Sequence, residues 1–357
     1  MRRKVFVVWG AILLAWCWGG VQAFGAVSPA LSRVIEGAKK EGRVSVILPT
    51  PLYGKGIDRL RRSIAEKYGV NLQIDYTPTA SYPVSLAKAI MENKTGTAPS
   101  NDLMILSDAT LAKAVAIGIT EKVDWKPLLA EGTPSEVIQF DGNALSVYTS
   151  HYGIIYNPTV ISPQEAPRSL KDLANPKWRG KIAIHSYPSV YLNIGYVLGI
   201  DKTLSTMREM MKNEPVVDLY PRGLTRYMAG EYPILFTISS YLVQTKKKGV
   251  PSQWVSPEIS MSTVHSVLVT KGALHPNAAK LVTAFLAGPD GNKVMIEEAE
   301  MGSAFYRGNF EHDIDQEDRK LGLKVYYVKD VPGLLDFAVS EKGGQAEQEV
   351  GRILKGR

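Results

Sequence analysis

The sequence has almost no cysteine: Cys17 is the single one among 357 residues. One cysteine excludes an intramolecular disulfide framework and any zinc or iron–sulfur site built from several cysteines. Beyond the first two dozen residues no apolar run reaches about 18 residues, which excludes a protein with several membrane-spanning helices. Charged residues make up 22% and hydrophobic residues 45% of the chain, and these proportions are typical of a folded globular protein.

The common enzyme motifs are absent as well. The sequence contains no His-Glu-x-x-His, no Gly-x-Ser-x-Gly, no phosphate-loop pattern and no dinucleotide-binding fingerprint. None of the five histidines has another at the i, i+4 spacing of a helical metal site. The stretch 85–88 reads Ser-x-x-Lys, but it lies on one predicted helix and is interpreted as helix sequence. We therefore predict a protein that is not an enzyme and needs no cofactor, with a secreted hydrolase as the alternative from another class.

The N-terminus has the features of a secretory signal. The basic residues Arg2, Arg3 and Lys4 precede an apolar run over 5–18, and Ala23 follows at a position that signal peptidase recognises. We predict a signal peptide over 1–23, cleaved after Ala23. The alternatives are an uncleaved membrane anchor and a lipid attached to Cys17, which the bulky Trp16 before it disfavours.

The excess of positive charge is modest. The chain carries a formal net charge of +7, and its one tight basic cluster covers 246–248. We interpret this cluster as the solvated end of a helix, and we predict no nucleic-acid partner.

The hydrophobic pattern alternates strands with helices in two parts of the chain, 28–118 and 181–249. Alternation of this kind predicts parallel sheets with crossover helices. Two longer β-rich runs, 144–156 and 263–270, predict strands that carry the chain from one part into the other and back.

The predicted fold class is therefore α/β, with two lobes that each contain a mainly parallel sheet flanked by helices. The carboxyl ends of parallel strands bind ligands, and two such edges facing across a hinge form a cleft that closes on a small molecule. After the signal peptide, the predicted division is 24–152 for the first part of lobe 1, 153–261 for lobe 2, and 262–357 for the return to lobe 1 with the C-terminal helices.

Four segments match a known pattern in the right order: 36–42 before a short strand, 169–182, 229–231 before a strand, and 275–281. Together they resemble the bacterial periplasmic solute-binding proteins of ABC importers, in the branch related to ferric-ion, thiamine, polyamine, phosphonate and sugar-phosphate binding proteins. The resemblance implies the type II periplasmic binding fold with two hinge-crossing strands. It also implies a monomer in the periplasm that delivers its ligand to an ABC permease in the inner membrane.

Candidate ligand-binding residues lie mainly at predicted strand ends and helix starts. Exposed amides at a helix N-terminus favour a carboxylate or a phosphate. Arg222, expected in a loop, is a candidate for binding an acid through two hydrogen bonds, and tyrosines are candidates for an apolar wall. The predicted site comprises Thr50, Tyr53, Ser81, Tyr82, Ser107, His151, His185, Ser186, Tyr187, Ser189, Arg222, Ser239, Ser240 and Tyr241.

The predicted ligand is a small organic anion, and ferric iron is the alternative. Ferric-binding relatives usually carry two adjacent tyrosines after the strand matching 234–238, where this chain has Ser239, Ser240 and Tyr241. Only the second tyrosine is matched, and Fe³⁺ prefers several anionic oxygens. If iron is the ligand, Tyr241 and His185 are the predicted metal ligands.

Overall fold

The computed structural model describes residues 27–79 and 81–356, and the predicted signal peptide lies outside the described residues. The first helix, α1 (Pro29–Glu41), shows how local sequence sets its bounds. The side chain of Ser28 accepts a hydrogen bond from the amide of Leu31, and Gly42 ends the helix in the left-handed conformation. The sequence favours both bounds, because a serine satisfies a free amide and glycine tolerates a positive φ.

The first part of the chain builds a parallel sheet that helices flank. Strand β1 pairs in parallel with β2 on one side and with β3 on the other. The elements are β1 (Arg43–Pro49), α2 (Lys55–Tyr68), β2 (Gln73–Thr79), α3 (Tyr82–Thr95), β3 (Leu103–Ser107), α4 (Asp108–Ile117) and the short β4 (Ile138–Gln139).

A long strand, β5 (Ala144–Tyr156), then leads into the second lobe, and all of its residues are buried. The elements of that lobe are α5 (Leu170–Leu173), β6 (Ile182–His185), α6 (Pro188–Leu198), α7 (Ile200–Met211), β7 (Val216–Asp218), α8 (Tyr220–Met228), β8 (Ile234–Ile238), α9 (Ser240–Lys247) and β9 (Gln253–Val255). Strand β6 pairs in parallel with β7 and β8, and the end of β5 pairs antiparallel with β8.

The chain returns along β10 (Ser260–Val269), which runs antiparallel to both β3 and β5. The described strands therefore join in the order β2-β1-β3-β10-β5-β8-β6-β7. The two central strands connect the lobes as the sequence predicts. The elements after the return are α10 (Pro276–Ala287), α11 (Pro289–Ala299), α12 (Phe310–Lys320), β11 (Val325–Tyr327), α13 (Leu334–Val339) and α14 (Glu341–Leu354).

The apolar cores follow the two lobes. One large cluster of buried side chains gathers β1, β3, α1, α10 and α11, and the other gathers β6, β8, α6 and α7. The helices of these two clusters thus bury an apolar face against their own sheet. None of the helices in the described residues combines the length and the apolar character needed to span a bilayer.

Two expectations differ from the structure. The C-terminal helices were expected in lobe 1, but Val350, Ile353 and Leu354 of α14 belong to the second core, because α14 packs against α6 and α7. The β-rich residues 216–220 predict a strand, but β7 ends at Asp218 and α8 already begins at Tyr220. Arg222 therefore lies in the first turn of a helix and not in a loop.

Candidate functional site

Four tyrosines stand at the N-terminal ends of four helices. Tyr82 is the first residue of α3, Tyr187 precedes α6, Tyr220 is the first residue of α8 and Tyr241 is the second residue of α9. The first four amides of a helix have no partner within the helix and carry a partial positive charge. The tyrosines therefore bring aromatic rings and free amides together.

In the second lobe the aromatic rings surround His185, the last residue of β6. The ring centroids of His185 and Tyr220 are 4.8 Å apart, and those of Tyr187 and Tyr220 are also 4.8 Å apart. Tyr241 meets the edge of Tyr220 at 6.1 Å. Tyr191 stacks on the other side of His185 at 4.8 Å. The strand end and three helix starts thus form one aromatic cluster.

In the first lobe, three side chains in hydrogen-bond contact link α3 to the two crossing strands. The hydroxyl of Tyr82 lies 2.8 Å from the hydroxyl of Tyr148 and 3.0 Å from Nδ1 of His265. Tyr148 of β5 and His265 of β10 face each other in the strand register, and their rings stack with centroids 4.1 Å apart. Three side chains from three elements therefore form one hydrogen-bonded unit.

The hydrogen-bonded unit of the first lobe and the aromatic cluster of the second lobe lie within electrostatic range of each other. Burial raises the pKa of the Tyr82 phenol, the hydrogen bond from Tyr148 opposes this rise, and Tyr152 and Tyr187 add to it. Tyr187 belongs to the second lobe and Tyr152 to the crossing strand β5, so these phenols lie within electrostatic reach of Tyr82. The aromatic side chains of the two lobes accordingly line one region, which we call the aromatic cleft: Tyr82, Tyr148, Tyr152, His185, Tyr187, Tyr220, Tyr241 and His265.

The side chains of the aromatic cleft are themselves uncharged; one buried carboxyl, that of Asp108, lies within electrostatic reach of Tyr152, and burial raises the pKa of Asp108 to about 7. Burial lowers the pKa of both His185 and His265 to about 3, so both imidazoles are neutral near pH 7. Burial raises the pKa of Tyr220 and Tyr241 above their ordinary value, so both phenols keep their protons. In the described part of the chain, no lysine or arginine side chain hydrogen-bonds to a residue of the aromatic cleft. The walls therefore offer neutral donors and ring faces in place of ion pairs.

Several predicted site residues lie near the aromatic cleft in sequence but outside its contacts. Ser107 pairs with His265 in the sheet, and its hydroxyl lies 3.1 Å from that of Thr110. Ser186 is half-buried and Ser189 is exposed, next to Tyr187. Ser81 is exposed and precedes α3. Their positions match the predicted helix starts.

Other predicted site residues lie away from the aromatic cleft. Tyr53 is 76% exposed, and the Thr50 hydroxyl donates to the carbonyl of Thr79. Arg222 has a 74% exposed side chain that pairs with Asp218 at 3.3 Å. The guanidinium of Arg222, which the sequence analysis proposes for ligand binding, is therefore engaged in an exposed ion pair.

His151, Ser239 and Ser240 are buried, and the two serines stand at the start of α9. The imidazole of His151 contacts Glu311 at 2.5 Å, and the Ser239 hydroxyl donates to the same carboxylate. The backbone amide of Ser239 also donates to the carbonyl of His151 at 3.0 Å. Together these contacts fix the start of α9 to β5. Both side chains are thus engaged within the protein.

Sequence reasoning missed Tyr148, Tyr152, Tyr220 and His265. Tyr148 and Tyr152 lie on β5 and His265 on β10, the two β-rich runs already assigned as crossing strands. An aromatic or imidazole side chain in the middle of such a strand is the available signal, because the middle of a crossing strand faces both lobes. Tyr220 was missed because it was assigned to the preceding strand.

Few side chains of this site are suited to coordinating ferric iron, the alternative ligand. Within residues 27–79 and 81–356, no group of three His, Cys, Asp or Glu side chains is arranged to hold a metal. The amide of Tyr187 donates to Nδ1 of His185 at 3.3 Å, so the proton of the neutral ring resides on Nε2. That tautomer offers a metal no free lone pair.

Solved structures of several binding proteins share this fold. The substrate-binding protein of an ABC transporter from Agrobacterium tumefaciens superposes with a TM-score of 0.71 at 16% identity, covering 92% of this chain and 98% of the other. AfuA from Actinobacillus pleuropneumoniae, with fructose-6-phosphate bound, gives 0.65 at 17% identity, with 88% and 99% covered. Iron-bound HitA from Pseudomonas aeruginosa gives 0.64 at 15% identity, with 87% and 99% covered. These neighbours are type II periplasmic binding proteins, so the predicted fold class is confirmed.

Sequence comparison identifies the family. No curated protein matches the chain. The family described as bacterial extracellular solute-binding protein matches residues 98–318, well over half of the chain. Its members bind solutes without catalysis and deliver them to ABC permeases, as the resemblance in the sequence implied. This chain therefore belongs to the bacterial extracellular solute-binding proteins.

Proposed function

We propose that this protein is the periplasmic receptor of an ABC importer and that it captures a small organic anion between its lobes. The observation that carries the proposal is the aromatic cleft, where four tyrosines coincide with four helix N-termini. Ring faces bury the organic part of a solute. Free amides and the helix dipoles favour a carboxylate or a phosphate ester.

Binding in this proposal works by closure of the lobes. The strands β5 and β10 form the hinge, and the solute needs only to bind the closed form better than the open form. The closed monomer then docks on the permease in the inner membrane. We retain the proposed lobes 24–152 and 153–261 with the return at 262, except that α14 packs with the second lobe.

Ferric iron is the second candidate, because Tyr187, Tyr220 and Tyr241 bring three phenols together and iron-bound HitA shares the fold. Fe³⁺ prefers anionic oxygens, and here burial raises the pKa of all three phenols. No carboxylate in the described chain hydrogen-bonds to these three tyrosines. The electrostatics therefore favour the organic anion.

The two candidates are separated by mass spectrometry of the protein freshly purified from the periplasm. The native spectrum gives the mass of the protein with its bound solute, and the denaturing spectrum gives the bare chain. We expect one chain plus an organic mass without metal. An added mass of one iron, alone or with a small anion, contradicts the organic ligand and favours the ferric candidate. A native mass of two chains contradicts the monomer.

A further inference from the structure

Two buried polar atoms of the aromatic cleft have no hydrogen-bond partner in the described chain: Nε2 of His185 and the hydroxyl of Tyr220. His185 is only 2% exposed, and the two rings lie 4.8 Å apart. Most other unpartnered buried atoms in the described residues are Ser and Thr hydroxyls, including those of Ser146 and Ser266, which face each other on β5 and β10. Because buried polar groups in proteins nearly always find a partner, an imidazole nitrogen and a phenol hydroxyl without one, on two neighbouring rings, point to a bound molecule.

Both atoms are hydrogen-bond donors. Nδ1 of His185 accepts from the amide of Tyr187, so Nε2 carries the proton of the neutral ring. Burial keeps the ring neutral by lowering the pKa of His185 to about 3, and burial raises the pKa of the Tyr220 phenol. The pair therefore presents an N–H and an O–H, and the molecule that satisfies them must supply an acceptor. A simple organic ammonium ion has no acceptor to offer, although the aromatic walls alone would suit it.

The charge of the acceptor follows from the helices at the same place. Helix α6 begins after Tyr187, and helix α8 begins at Tyr220. Pro188 and Pro221 in the first turns carry no N–H, so it is the remaining first-turn amides and the helix dipoles that favour a negative charge. A phosphate ester carries a charge of about −1.5 to −2 near pH 7. With no lysine or arginine bonded to the aromatic cleft in the described chain, a single negative charge fits the neutral donors better.

We propose that His185 and Tyr220 are the specificity-determining donors of the cleft and that the solute is a planar aromatic carboxylate. The carboxylate oxygens accept from Nε2 of His185 and from the hydroxyl of Tyr220. The planar body lies against the rings of Tyr187 from the second lobe and Tyr82 from the first. This inference rests on the proposed receptor function and narrows its ligand class.

The test uses defined probes with the mature protein after its bound solute has been removed by dialysis. Benzoate, nicotinate, phenylacetate and 4-hydroxybenzoate are the aromatic carboxylates. Cyclohexanecarboxylate has the charge without the planar ring, phenyl phosphate has the ring with a higher charge, and benzylamine has the ring with the opposite charge. Thermal stabilisation and calorimetric titration are measured for each. We expect at least one aromatic carboxylate to bind and the three comparison probes to bind at least about tenfold more weakly.

The variants Tyr220→Phe and His185→Phe keep an aromatic ring and remove the donor. Because a hydrogen bond to a charged group is worth roughly a factor of ten or more, we expect each variant to lose at least about tenfold in affinity for the best probe. The control is Tyr196→Phe, on α6, whose hydroxyl donates to the carbonyl of Pro332; it should bind like the unaltered protein. Circular dichroism and the melting temperature without probe verify folding.

The outcomes separate the donor pair from the receptor function. Equal affinity of the unaltered protein and both variants overturns the donor pair and leaves the receptor function standing. A bound organic mass in the native spectrum, with no response to any aromatic carboxylate, overturns the ligand class alone. Tighter binding of benzylamine than of benzoate overturns the anionic acceptor. An iron mass overturns both this inference and the organic ligand of the proposed function.

Discussion

The imidazole of His151 in β5 lies 2.7 Å from the carboxylate of Asp315 in α12, and both side chains are buried. The other ring nitrogen contacts Glu311, and the hydroxyl of Tyr327 donates to Asp315. One histidine between two carboxylates thus joins the crossing strand to a helix after the return strand. Because Ser239 also donates to Glu311, the same network holds the first turn of α9, where Tyr241 stands.

The first prediction concerns the pH dependence of this network. Burial lowers the pKa of His151, but the hydrogen bonds to Asp315 and Glu311 outweigh it and raise the pKa from 6.5 to about 9. The folded state therefore binds the proton more tightly than the unfolded chain. Its stabilisation is complete below pH 6.5 and is lost as the pH rises to about 9, on the order of 3 kcal/mol. The free energy of unfolding in urea should fall over this window.

The variant His151→Gln isolates the contribution of this protonated histidine to the free energy of unfolding. Removing one partner leaves Glu311 and Asp315 buried without their cation, so we expect a loss of about 3 kcal/mol or more at pH 6.5 and a smaller loss at pH 9. The control is His312→Gln, since His312 also lies on α12 but bonds only to the carbonyl of Ala304. If the free energy of unfolding depended on pH in the same way for the unaltered protein and for His151→Gln, His151 would not be protonated in the folded protein.

The elements that the sequence predicted best have strong local boundaries. The sequence predicts helices over 276–287 and 289–299, and α10 and α11 occupy these residues, because Gly288 ends the first and Pro289 begins the second. The crossing strand β5 was also predicted to the residue, since its long β-rich run is continuous. Local chemistry of this kind acts within one element and needs no tertiary information.

Contacts across elements were harder to predict. Tyr148 faces His265 only because β5 and β10 run antiparallel in one register, and a fully buried strand has no polar alternation to indicate that register. Helix α12 was not predicted, because its first turn buries Glu311 and its surface carries many charges. Of the predicted site, Tyr82, His185, Tyr187 and Tyr241 belong to the aromatic cleft.

The second prediction compares two adjacent glycines of α14. A Cβ atom on Gly343 would lie 1.9 Å from the carbonyl oxygen of Phe337, whereas one on Gly344 would meet nothing within 4 Å. Gly343→Ala should therefore destabilise the protein by about 1–3 kcal/mol. Gly344→Ala should stabilise it by about 0.5–1 kcal/mol, because alanine favours the helix. Urea unfolding of both variants measures the difference, and a stabilising Gly343→Ala would contradict the packing of α13 against α14.

The third prediction concerns processing of the N-terminus. If the signal peptide is cleaved after Ala23, the denaturing mass of the periplasmic protein corresponds to residues 24–357. The variant Ala23→Leu places a large side chain where signal peptidase requires a small one, so uncleaved precursor should accumulate. Gln22→Asn changes the neighbouring position, which is less restricted, and should be processed normally. A mature chain with a lipid on Cys17 would contradict this cleavage.

The last prediction tests the hydrogen-bonded unit of the first lobe. The Tyr82 hydroxyl meets both Tyr148 and His265, so Tyr82→Phe leaves two polar groups without a partner and should cost about 1–3 kcal/mol of unfolding free energy. Tyr53→Phe is the matched control, since Tyr53 is a tyrosine of the same lobe that is 76% exposed, and it should change stability by less than about 0.5 kcal/mol. Because the proposed solute lies against the ring of Tyr82, and this ring is held in place by the two hydrogen bonds, Tyr82→Phe should also retain less of the solute seen in the native mass spectrum. Equal stability and equal solute retention in the two variants would mean that the unit does not form in solution and that Tyr82 takes no part in binding.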